Sequence, residues 1–330
     1  MLDLRRLLVL RAVARHGSLS AAARQLGYTQ PAVTHHIRRL EREVGTPLVT
    51  RAGRGIRLTE AGQALVSHAD AVSARLAAAE EQVAAIAGLR AGRVRLASFP
   101  SSSAALIPAA LARLRARQPL LEVSLVEAEP PSSLALLRRG DCDLALTFEY
   151  PGGATDQGED VTKVPLLTDR LLAVLPAGHP LAEADVLDLE QLAGQTWIAG
   201  CERCRDHLLR SCLAAGFTPE IAFATDDYVA VQRLIAVGLG VALLPELVLG
   251  VVQLPGVLAR PLASSPRRQI LAITPAAAQQ PPAVAATLAA LQAASTELAN
   301  RATDAAASAA AWKAQQQETE SFSLGSSASS

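Results

Sequence analysis

Three of the four cysteines fall within one short stretch, GCERCRDHLLRSC, at 200–212. Thiols beside arginines and a histidine admit three chemistries: zinc ligation, disulfide exchange, or plain packing of small apolar groups. Cys201, Cys204, His207 and Cys212 are the right types for a zinc tetrad, but their spacing matches no standard zinc pattern, so no metal is expected. If 204–215 is helical, a rise of ~1.5 Å per residue separates Cys204 from Cys212 by about 12 Å. That exceeds the ~7 Å Cα limit for a disulfide. Cys201 and Cys204 are the pair that oxidation can join without unwinding. Arg203, Arg205 and the helix N-terminus supply the positive field that a reactive thiolate needs. Structural thiols and redox-active ones both remain open readings of Cys201, Cys204 and Cys212.

A second stretch carries a different chemistry. In TQPAVTHHIRRLE, at 29–41, Val33, Ile37 and Leu40, followed by Val44, recur at helical spacing and make a dry face. The other face carries Gln30, Thr34 and Arg38, with His35 and Arg42 a step round. Long hydrogen-bonding side chains at i, i+4 and i+8 suit the base edges of a DNA major groove.

The elements around this helix position it. Residues 4–15 read as a first helix, with Leu4, Leu7, Leu8, Leu10, Val13 and Ala14 as its apolar face. Ser18 reads as the N-cap of a second helix, which Gly27 ends, and Thr29 caps the third with Pro31 in its first turn. Helix, tight glycine turn, helix is the helix-turn-helix unit. The following TPLVTRAGRGIRLT reads as a hairpin with Gly53 and Gly55 at its tip. Its Arg51, Arg54 and Arg57 form a wing that lies along a phosphate backbone.

Charge supports the division. The chain of 330 residues has 31 basic and 31 acidic side chains, yet residues 1–60 hold 11 arginines against Asp3, Glu41, Glu43 and Glu60. A basic head on an acidic body points to nucleic acid at one end only. The arginine-studded N-terminus does not read as a signal peptide, and no run approaches ~20 apolar residues, so a cytoplasmic protein with no membrane contact and reduced thiols is expected.

Beyond Thr59 a long helix runs to Leu89. Leu65, Ala69, Val72, Leu76, Ala79, Val83 and Ile86 alternate steps of four and three, the heptad seam of a helix that pairs with a second copy. RAGR at 90–93 breaks it. The period then changes: RVRLAS, LEVSLVE and CDLALTF read as strands, separated by helices, in a βαβαβ run that implies a parallel sheet. DRLLAVLP, TWIAG, EIAFAT and VALLP continue as strands, with helices near 204–215 and 227–238, giving an α/β body in two lobes. A helix is expected over about 282–300, and the Ala/Ser/Gln-rich tail is expected to be disordered.

The residues GSLSAAARQLGYTQPAVTHHIRRLEREVGTPLVTRAGRGIRLTEAG at 17–62 resemble the LysR-type transcriptional regulators, with weaker echoes in LLRRGDCDLAL, LLAVLPAGHPLA and AVGLGVALLP. The resemblance implies an all-α winged helix-turn-helix N-terminal domain (1–60), a long dimerising linker helix (61–91), a two-lobed α/β effector domain resembling type 2 periplasmic binding proteins (92–300), and a tail (301–330). It places Ser18, Thr29, Gln30, Pro31, Thr34, His35, Arg38, Arg51 and Arg54 at double-stranded DNA. It places a small-molecule effector where the first strand of the effector domain meets the next helix, in SFPSSSAA, with Ser101 and Ser102 as contacts. A helix N-terminus there favours a carboxylate, although the serines also read as a simple N-cap. WIAGCER, including Gly200 and Cys201, faces them, and Phe148 lines the cleft. Some members of the family sense peroxide through cysteines in this lobe by unwinding a helix.

Two other classes are weighed. GLGVAL at 238–243 mimics a dinucleotide fingerprint but follows a helix and precedes a strand, the wrong order. GxxxxGK[ST], G-x-S-x-G and HExxH are all missing, so neither an enzyme nor a bound cofactor is expected. A solute-binding module alone does not explain the basic head. The sequence is therefore read as a transcription regulator, a homodimer or homotetramer that acts on RNA polymerase.

Overall fold

The computed structural model describes residues 2–52, 55–86, 92–153, 160–276 and 280–301. Gly53 and Arg54 at the expected wing tip, the side chain of Ile86, the first half of RAGR and the tail from 302 onward lie outside the described residues.

The head is built from α1 (Leu4–His16), α2 (Leu19–Leu26), α3 (Gln30–Val44) and a hairpin of β1 (Val49–Ala52) and β2 (Gly55–Leu58). Its helix boundaries are chemical. The side chains of Asp3, Ser18 and Thr29 accept from the backbone N–H groups of Arg5, Ala21 and Ala32. Gly17, Gly27 and Gly45 close the three helices in the left-handed region that a side chain resists. Val33, Ile37 and Leu40 pack on Leu10, Val13, Ala22 and Ala23, all at most 3 % exposed. On α1 the buried residues also include Val9 and Ala12, whereas Leu4, Leu8 and Ala14 are only half-buried.

A carboxylate ties the hairpin to α3: Glu41 Oε1 accepts from Leu48 N and Val49 N. The long helix α4 (Glu60–Ile86) then leaves the hairpin at Gly62. A Cβ there would lie 2.1 Å from the Leu48 carbonyl oxygen, a backbone atom that cannot swing aside. Gly62→Ala is accordingly expected to destabilise the head by about 1–3 kcal/mol, as overpacking does. A melting temperature for the head unchanged from the parent protein would show that the hairpin yields freely.

The body has two lobes. In the first, β3 (Arg93–Ser98), α5 (Pro100–Arg117), β4 (Glu122–Glu127), α6 (Ser132–Arg138) and β5 (Leu144–Glu149) form the expected βαβαβ run, with β3 parallel to both β4 and β5. The 16-residue β6 (Val161–Pro176) leads out of this sheet into the second lobe. That lobe holds β7 (Thr196–Ala199), α7 (Glu202–Ala214), β8 (Glu220–Ala224), α8 (Tyr228–Ala236), β9 (Ala242–Pro245), α9 (Glu246–Leu249) and β10 (Val257–Pro261). The chain returns through β11 (Arg267–Pro275), antiparallel to β5 and β6, and closes on a helix over 282–301 that buries Val284, Leu291 and Ala294 against the first lobe. The sheet order is β10-β6-β11-β5-β3-β4, with β9 also on β6.

Two expectations need correction. β6 begins at Val161, well before the expected DRLLAVLP, and the strands β10 and β11 went unread. Helix α7 starts at Glu202, earlier than the expected 204, which puts Cys204 in its first turn.

Candidate functional site

Electrostatics sorts the arginines of the head. On α1, Arg6 pairs with Asp3 and Glu43, Arg11 with Asp70 of α4 and Arg15 with Asp141 of the body. On α3, Gln30, Pro31, His35, Arg38, Arg39 and Arg42 are exposed, Arg39 pairing with Glu43 at 3.7 Å, while Thr34 is half-buried. Ser20 Oγ donates to Gln30 Oε1 at 3.1 Å, steadying that side chain at the start of the helix. Thr34 Oγ1 donates to the Gln30 carbonyl at 3.0 Å. On the hairpin, Arg51 and Arg57 are exposed, and the register puts them on opposite faces, Arg51 with Ile56 and Arg57 with Thr50. Ser18 and Thr29 serve as caps, so their side chains are already engaged with backbone N–H groups. A dry face, a basic wet face and a hairpin beside it make a surface shaped for a polyanion groove.

The second site lies between the lobes, and its centre is a residue that sequence reading missed. Arg268, on β11, is 1 % exposed and reaches across the base of α5. Its Nε and Nη2 donate to Asp169 Oδ2 at 3.0 and 2.8 Å, and Nη2 also donates to Ser101 Oγ at 2.7 Å. The guanidinium sits over the rings of Phe99 and Phe148, 5.1 and 4.6 Å from their centroids. Asp169 Oδ1 accepts from Leu247 N at 3.0 Å. Burial pushes the Asp169 carboxyl up, against the pull of Arg268. The arginine keeps its charge.

Ser101 and Ser102 are fully buried in the first turn of α5, and Phe148 is fully buried beneath Arg268. The reading of the serines as an N-cap is corrected here. Phe99 occupies the cap position and Pro100 follows it, so no side chain caps the helix. Ser101 instead takes the arginine's hydrogen bond. Ser102 Oγ, Ser103 Oγ and Arg268 Nη1 have no hydrogen-bond partner among the described residues. Buried polar atoms are nearly always satisfied, so three bare ones around one helix start mark a place for a polar ligand.

From the second lobe, Arg203 Nη1 donates to the Phe148 carbonyl at 2.9 Å and bridges the cleft. Gly200 is half-buried beside it, and Cys201 forms the N-terminal boundary of α7. Cys201 Sγ donates to Cys204 Sγ at 2.9 Å, and the Tyr150 hydroxyl lies 3.6 Å from Cys204 Sγ. The bond from Cys201 holds the Cys204 thiol below the usual range and pushes Cys201 up. The Tyr150 ring stacks on His207 at 4.0 Å, and burial keeps that imidazole neutral with a pKa down to about 4. Cys212 faces the other way. It is fully buried in the core of the second lobe with Trp197 and Leu208, and burial pushes its thiol up to about 12. Cys204 and Cys212 lie on one continuous helix, so joining them requires its unwinding.

Both domains have counterparts in known proteins. Residues 4–63 match the bacterial regulatory helix-turn-helix protein, lysR family, and residues 87–296 match the LysR substrate binding domain. The chain belongs to the LysR family of transcriptional regulators, and it is a regulator rather than an enzyme. It is 32 % identical to the HTH-type transcriptional regulator ShiR of Corynebacterium glutamicum, over 70 % of this chain and 79 % of that protein. It is 34 % identical to a probable hydrogen peroxide-inducible genes activator of Mycobacterium avium, over 71 % of this chain and 75 % of that one. Full-length OxyR from Pseudomonas aeruginosa shares the fold, with a TM-score of 0.67 at 22 % identity, covering 88 % of this chain and 95 % of that structure. Among the described residues, no helix is long and apolar enough to cross a membrane.

Proposed function

We propose that this regulator works in the cytoplasm, occupies its operator as a homodimer or homotetramer, and changes its hold on DNA when a small-molecule effector enters between the lobes. Domain limits near 60, 91 and 300 fit this reading, with the α4 region as the dimerising element. The observation that carries it is the split of α3: Val33, Ile37 and Leu40 are buried while Gln30, His35 and Arg38 stand exposed. A small carboxylate is the effector class that best suits the cleft. The start of α5, the bare hydroxyls of Ser102 and Ser103 and the bare Nη1 of Arg268 all favour negative charge. Closing or opening the lobes would change the spacing of the two heads, and hence the DNA bend that RNA polymerase meets. Cys201, Cys204 and Cys212 are the thiols for a redox response: the first two could join in place, whereas Cys204 and Cys212 would need α7 to unwind.

Gel-shift titrations on the operator and its base-substituted variants test the DNA half of this reading. Arg38→Ala is expected to weaken operator binding by about 1–3 kcal/mol and to relax preference at one base position. Arg51→Ala should weaken every sequence alike and flatten the salt dependence, as loss of a phosphate contact does. Equal losses for both variants on every sequence would refute the division of labour.

A further inference from the structure

The proposed effector position leaves unused a second group of donors at the rim of the cleft. Glu129 follows β4 in the first lobe, Cys201 and Cys204 open α7 in the second, and Asp226 follows β8. Donor atoms of Glu129, Cys201 and Asp226 all lie within 4.8 Å of one another. Cys204 Sγ lies outside that group but only 2.9 Å from Cys201 Sγ, so a side-chain rotation would have to bring it in as a fourth. Glu129 Oε2 is buried and has no hydrogen-bond partner among the described residues. Gly200 keeps the middle of the group open: a Cβ there would stand 3.6 Å from Asp226 Oδ1 and 3.9 Å from Cys204 Sγ. Asp226 is exposed, which gives the group a path to solvent.

One sulfur and two carboxylates converge from both lobes, with a second sulfur next to the first. We propose that Cys201, Cys204, Glu129 and Asp226 bind one divalent cation of the zinc class, which bridges the two lobes. Two thiolates with two carboxylate oxygens suit a borderline-soft, tetrahedral ion and do not suit magnesium or calcium, which take oxygen alone. Binding releases the two thiol protons to solvent, so the two thiolate charges are balanced by the ion. Zn–S bonds of about 2.3 Å at tetrahedral angles put two sulfurs ~3.8 Å apart. The 2.9 Å pair must therefore open by roughly 1 Å, a side-chain rotation in the first turn of α7. The opposing charge nearby is Arg268, and Asp169 neutralises it through the two bonds described above. The N-terminus of α7 favours thiolates over thiols at the same place.

This inference goes beyond the regulatory reading, and its test uses no DNA. Zinc ion is titrated into the full-length, reduced, metal-stripped protein against a chromophoric chelator, and cobalt ion is used to look for a thiolate charge-transfer band. One equivalent per protomer is expected, with about two protons released. Cys201→Ser and Cys204→Ser should each abolish the cobalt band's full intensity and lower zinc affinity by more than about tenfold. Glu129→Gln and Asp226→Asn should weaken zinc by at least that factor while leaving the thiolate band in place. Cys142→Ser and Cys212→Ser, at buried thiols away from the group, should bind as the parent protein does. Circular dichroism melting of each variant checks that it is folded. No stoichiometric binding by the parent protein, binding that survives loss of both Cys201 and Cys204, or an affinity indifferent to Glu129 and Asp226 would each overturn the assignment.

Discussion

Arg268→Ala is expected to lower the stability of the effector domain by about 3–5 kcal/mol, the loss typical when one partner of a buried ion pair is removed. The substitution strands Asp169, only 3 % exposed, with Leu247 N as its remaining hydrogen bond. It also takes the donor from Ser101 Oγ and the cation from the faces of Phe99 and Phe148. Arg268→Lys should recover little, because a single ammonium cannot reproduce the fork that meets Asp169 and Ser101 together. The double variant Arg268→Met with Asp169→Leu should recover most of the loss, since apolar residues of similar volume carry no desolvation penalty. The effector-domain transition in scanning calorimetry reads all of these, because the chain as a whole is not a two-state system. A single alanine variant within about 1 kcal/mol of the parent would mean that water or a neighbouring side chain satisfies Asp169. The double variant also separates stability from signalling. If it folds and binds DNA yet ignores an anionic effector, then the bare Nη1 of Arg268 belongs to the ligand.

That arginine also shows where sequence reading stops. The head was legible because its signals are local. Ser18, Gly27, Thr29 and Pro31 stand within a few residues of what they cap or terminate, and the dry face of α3 repeats at a helical period. The parallel run from β3 to β5 was legible for the same reason. β11 was not, because RRQILAIT follows a Pro- and Ser-containing loop, and two leading arginines look like a solvated strand end. Pairing with β5 and β6 decides the matter, since alternation turns Arg267 to solvent and Arg268 inward. Both partner strands lie far back in the chain. The same holds for the cleft. The SFPSSSAA motif pointed to the right helix start, but whether Ser101 faces solvent or an arginine depends on a residue 167 positions away. The cysteines were judged by spacing along one segment, where Cys201, Cys204, His207 and Cys212 match no standard zinc pattern. Spacing along one segment cannot see Asp226, which the parallel pairing of β7 and β8 sets beside Cys201, or Glu129, which comes from the other lobe.

Leu76→Asp is expected to turn dimers into monomers. The heptad seam divides in the structure. Leu65 and Ala69 pack into the core of the head, whereas Val72, Leu76 and Val83 are 43, 46 and 66 % exposed along α4. Three large apolar side chains at steps of four and seven along a bare helix have no reason to face water unless another helix covers them. Arg75, on a neighbouring position, donates to the Ala276 carbonyl at 3.0 Å, so the chain's own body lies against a different side of α4. A carboxylate at 76 would then be buried in an apolar seam at a cost of several kcal/mol, or would keep the helices apart. Operator affinity should fall by about 10²–10⁴-fold with the dimer, because the second head then binds from free solution instead of at the concentration its tether sets. Sedimentation equilibrium measures the first effect and gel shifts on the whole operator the second. Leu76→Ala, which shortens the side chain without adding charge, should weaken the dimer but not abolish it. A Leu76→Asp protein that stays dimeric would place the interface elsewhere on the body and leave the exposed stripe of α4 without a role.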